Sequence, residues 1–105
     1  MTYWELIDTQ EGEDFTIRTY VAPEDYAPDF DVDDGEVLQG INDGVYVWFK
    51  VKVSAWKAGV ELGTAYLGGC CYESTKDFIQ EGDYWSDMVE EAIAEAKKTI
   101  KELTA

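Results

Sequence analysis

Carboxylates are the chemically capable side chains that this sequence supplies in quantity, and their spacing sets them apart from a scatter. Glu24, Asp25, Asp29, Asp31, Asp33, Asp34 and Glu36 crowd one short stretch that contains no basic residue. In extended chain Asp29, Asp31 and Asp33 would project to one side at intervals of about 6.6 Å, from a rise of roughly 3.3 Å per residue. Glu11, Glu13 and Asp14 form a second group upstream. Downstream, Asp87, Glu91 and Glu95 recur at four-residue steps, about 6 Å apart on a helix rising 1.5 Å per residue. Rows of like charge imitate a polynucleotide, whose duplex carries one charge per about 1.7 Å of axis, and a basic groove built for phosphates would accept them. The alternative is a set of solvated faces that keep the molecule soluble. The local balance weighs against it: residues 1–49 hold 13 acids against the single base Arg18, whereas residues 50–105 hold 10 acids against seven lysines.

Other chemistries find less support. Asp29-Phe30-Asp31-Val32-Asp33-Asp34-Gly35 is similar to the start of an EF-hand calcium loop, but that loop needs glycine at its sixth position and glutamate at its twelfth. Here those positions hold Asp34 and Gly40. Cys70 and Cys71 are adjacent, so on a strand they point to opposite faces, and no histidine or third cysteine exists to complete a tetrahedral zinc site. Core packing is the expected role of at least one of them. The absence of histidine also removes the commonest general base and nucleophile activator. Paired carboxylates could serve glycoside hydrolysis, yet that chemistry needs a cleft that a small sheet does not readily form. Leu67-Gly68-Gly69 lacks the spacing and the lysine of a phosphate-binding loop. No catalytic residue, metal site or cofactor is therefore expected.

The elements that must carry these groups follow from periodicity. Trp4 to Asp8 and Phe15 to Val21 alternate around a turn at Gln10-Glu11-Gly12-Glu13-Asp14, which predicts a first hairpin. Pro23 and Pro28 bracket the start of the acidic segment, which reads as a loop. Asn42-Asp43-Gly44 supplies a tight turn before the clearest strand. There Val45, Val47, Phe49, Val51, Val53 and Ala55 share one face and Tyr46, Trp48, Lys50, Lys52, Ser54 and Trp56 the other, the pattern of a half-buried antiparallel strand. Lys57-Ala58-Gly59 turns the chain, and Val60 to Tyr72 returns beside it, with Gly63, Gly68 and Gly69 marking bulges or close approaches. Ser74-Thr75-Lys76-Asp77 has capping-box spacing and starts a short helix ending at Gly82. From about Tyr84 to Leu103, Trp85, Met88, Val89, Ala92, Ile93, Ala96, Ile100 and Leu103 form one helical stripe. The resulting expectation is an α+β fold: an antiparallel sheet of about four strands packed against one long C-terminal helix, with a short helix before it.

At 105 residues, 46% of them hydrophobic, one domain spanning residues 1–105 can close a single core. The net charge of −15 disfavours direct contact with nucleic acid or an anionic membrane, both of which need cations on the protein, and favours a basic protein partner. Met1-Thr-Tyr-Trp-Glu-Leu-Ile-Asp has no positively charged leader, no apolar run approaches a membrane span, and the paired cysteines suit a reducing compartment, so a cytoplasmic location is expected. In size, acidity, aromatic content and lack of catalytic groups, the chain resembles small anti-defence proteins of phages and mobile elements, the anti-CRISPR and anti-restriction proteins, many of which mimic DNA. That resemblance implies a non-catalytic inhibitor, acting in the host cytoplasm. Its carboxylates Glu24 to Glu36, with Glu11, Glu13 and Asp14, would occupy a basic nucleic-acid channel on a host nuclease or surveillance complex. The competing expectation is an interaction module or homodimer that uses the aromatic face of Tyr46, Trp48, Lys50, Lys52 and Trp56, with acidity serving solubility alone.

Overall fold

The computed structural model describes residues 3–24 and 47–104. Four strands in meander order form one antiparallel sheet: β1 (Glu5–Glu11), β2 (Thr16–Pro23), β3 (Val47–Lys57) and β4 (Val60–Tyr72). Two helices follow, α1 (Thr75–Glu81) and α2 (Asp83–Thr104). The α+β architecture is thus the expected one.

Alternation builds the sheet. Val51 and Val53 are fully buried on the face that α2 covers, opposite Val21 and Thr19 of β2 and Leu67 and Ala65 of β4. Lys50, Lys52 and Trp56, one residue out of phase, lie on the other face. In β1 the alternation is broken by a bulge between Leu6 and Asp8, which lets Ile7 pack against the core, and the strand runs on to Glu11. The hairpin turn tightens where Gly12 N–H donates to the Phe15 carbonyl at 2.9 Å. Between β3 and β4 the turn is two residues long, with positive φ at both Ala58 (52°) and Gly59 (76°), the geometry that suits the right-handed twist of a hairpin.

The helices start and stop where capping chemistry directs. Ser74 caps α1, its hydroxyl accepting Asp77 N–H at 3.3 Å, and Gly82 ends it in the left-handed conformation. Phe78 of α1 is buried edge-on against both Phe49 and Tyr72, which pins α1 to the ends of β3 and β4. Along α2, Met88, Ala92 and Ala96 are buried, with Trp85, Val89, Ile93 and Ile100 packed at their flanks. Leu103 departs from the expected stripe: it is 74% exposed, in a last turn where Lys101, Glu102 and Thr104 are exposed too. Two contacts weld α2 to the sheet. Trp85 Nε1–H donates to the buried Thr19 hydroxyl at 2.9 Å. Gly63 faces the backbone of Ala92 and Ala96 so closely that any Cβ would collide with both.

Among the described residues no helix is long and apolar enough to cross a membrane. Asn42-Asp43-Gly44, Val45 and Tyr46 lie outside the described residues, as do Asp25, Asp29, Asp31, Asp33, Asp34 and Glu36.

Candidate partner-binding surface

The charge of this chain is partitioned between spans. Residues 24–49 and 73–96 together hold 16 of the 23 acids and one base, Lys76; the remainder holds seven acids and seven bases and is neutral. The whole formal charge of −15 therefore resides in two spans. The fold brings their ends together. Glu24 leaves the end of β2, Val47 opens β3, and Glu73 follows the end of β4; Pro23 pairs with Phe49, and Val47 pairs with Tyr72. All three points sit at one end of the sheet, beside α1 and the start of α2.

From that end the described carboxylates continue outward. Glu73 and Glu81 flank α1 and are exposed, and Asp87, Glu90, Glu91 and Glu95 are exposed on the solvent side of α2. The expected row Asp87, Glu91, Glu95 is exposed, and it flanks the buried Met88, Ala92 and Ala96, about 100° around the helix from the line that faces the sheet. One charge per about 6 Å along a helix is roughly half the axial density of one nucleic-acid strand, at one charge per about 3.4 Å. Like charges four residues apart also cost a helix about 0.2–0.5 kcal/mol per pair, which α2 tolerates because its stability comes from its buried face.

The upstream acids are placed elsewhere. Glu11, Glu13 and Asp14 are exposed at the turn between β1 and β2, the opposite end of the sheet from Glu24. The length of β2, about 23 Å at 3.3 Å per residue, separates the two groups. Glu11 is engaged locally, accepting the Thr16 hydroxyl at 2.8 Å, and Glu13 and Asp14 border a cleft that Lys97 of α2 also lines. Glu24 is half-buried, and one of its oxygens accepts Gly69 N–H at 2.7 Å, so it ties the start of the acidic span to β4. Glu11, Glu13 and Asp14 therefore do not adjoin Glu24. Sequence position alone could not separate them, because a hairpin sends two neighbouring acidic stretches to opposite ends.

The aromatic face behaves as self-contained structure. The Arg18 guanidinium lies 4.5 Å from the Trp56 ring centre, Lys50 lies 5.6 Å from Trp4, and Lys52 lies 5.4 Å from Tyr20. Lys52 also pairs with Glu61 at 3.3 Å, and Trp56 donates to Ser54 at 2.8 Å. Cationic stems and rings cover one another there, at a gain of about 0.5–1 kcal/mol or more for each half-buried cation–ring pair.

Cys70 is buried opposite Phe49, and Cys71 is partly exposed on the other face. Burial, with the charge of Glu24 second, pushes the Cys70 thiol from 9.0 up to about 11. Burial also raises Cys71. Both are therefore thiols at neutral pH, the unreactive form. No group of three or more metal-ligating side chains occurs among the described residues. No family model, curated protein or solved structure matches the chain.

Proposed function

We propose that this chain is a non-catalytic inhibitor whose acidic surface binds a basic nucleic-acid-binding site on another protein, in the manner of anti-CRISPR and anti-restriction mimics of DNA. The observation that supports this reading is the partition of charge. A protein made acidic only for solubility has no reason to gather 16 carboxylates into two spans whose ends meet at one end of a sheet while the rest of the chain sums to zero charge. Self-repulsion of that kind weakens the compact state, and it becomes useful when a cationic partner relieves it.

The working surface is the end of the sheet where residues 24–49 depart and return, extended by Glu73, Glu81, Asp87, Glu90 and Glu91. Glu11, Glu13 and Asp14 fall outside it. The partner is a host nuclease or surveillance complex with a phosphate-binding channel, and the encounter takes place in the host cytoplasm. Association is fast and driven by charge, and it weakens steeply with salt.

A pull-down from bacterial lysate at low and high salt tests this. The expected result is capture of a basic nucleic-acid-binding protein that is released by salt and is not captured when Asp87, Glu90 and Glu91 are all changed to Lys. Capture that is indifferent to salt and to the reversal would refute it.

A further inference from the structure

We draw no further inference here: the strongest candidate, the apolar cavity of about 620 Å³ at the end of the sheet where Trp4, Val21, Pro23, Val47 and Phe49 meet, carries nothing because residues 25–46, which join the strands on its rim, lie outside the described residues, and nothing in the structure shows what covers it.

Discussion

Ala58 holds a backbone angle that its side chain disfavours. Its φ of 52° belongs to a two-residue hairpin turn in which asparagine or glycine is the usual occupant, and a left-handed angle costs an L-residue about 1–2 kcal/mol. Ala58 is fully on the surface, so Ala58→Asn should raise stability by about 0.5–1 kcal/mol without touching the core, readable as a shift of the urea midpoint at constant slope. The position of this turn was legible at Lys57-Ala58-Gly59, but its handedness was not, because alanine carries no mark of it. Cys70 illustrates the same division. That one of the two adjacent cysteines packs inward follows from alternation alone; the carboxylate of Glu24 beside it comes from a residue 46 positions earlier by the chain. With its thiol raised to about 11 in the folded protein, Cys70 holds its proton longer folded than unfolded. Its contribution to stability is thus complete below pH 9 and is lost as pH climbs from there through 11. Alkylation at pH 8 followed by mass spectrometry should label Cys71 first and Cys70 only when the chain unfolds; equal labelling of the two would contradict the burial.

At the scale of elements, the two periodicities carried most of the information. Period two marked β3 and its faces, and period 3.6 marked α2, because each reflects burial of one side. The packing distance between them was not readable. Gly63 looked like one of three glycines in a strand, yet only Gly63 lies under α2, where a single methyl group would meet the Ala92 carbonyl and the Ala96 backbone. Gly63→Ala should therefore cost about 3 kcal/mol or more, at the upper end of overpacking effects. The exposed Gly68→Ala, in a bulge, should cost markedly less, and a thermal melt of each variant compares them. The weld from Trp85 to Thr19 was equally hidden: nothing in either segment announces that an indole N–H 66 residues away will satisfy a buried hydroxyl.

The whole molecule is organised by charge as much as by burial. The excess of acid in the first half of the sequence was visible by counting, and the row on α2 by its four-residue step. What counting could not supply was which acids share an end of the fold. β2 carries Glu11, Glu13 and Asp14 to one end and Glu24 to the other, while the chain reversal through β4 returns Glu73 and α2 to the side of Glu24. The claim that this assembled acidity stands in for a polynucleotide is tested most directly on a duplex-DNA resin loaded with bacterial lysate and washed with the purified protein at low salt. The account predicts release of a specific basic DNA-binding protein, with the variant carrying Lys at positions 87, 90 and 91 releasing little of it and with release fading as salt rises. Release of nothing, or equal release by the reversed variant, would contradict it.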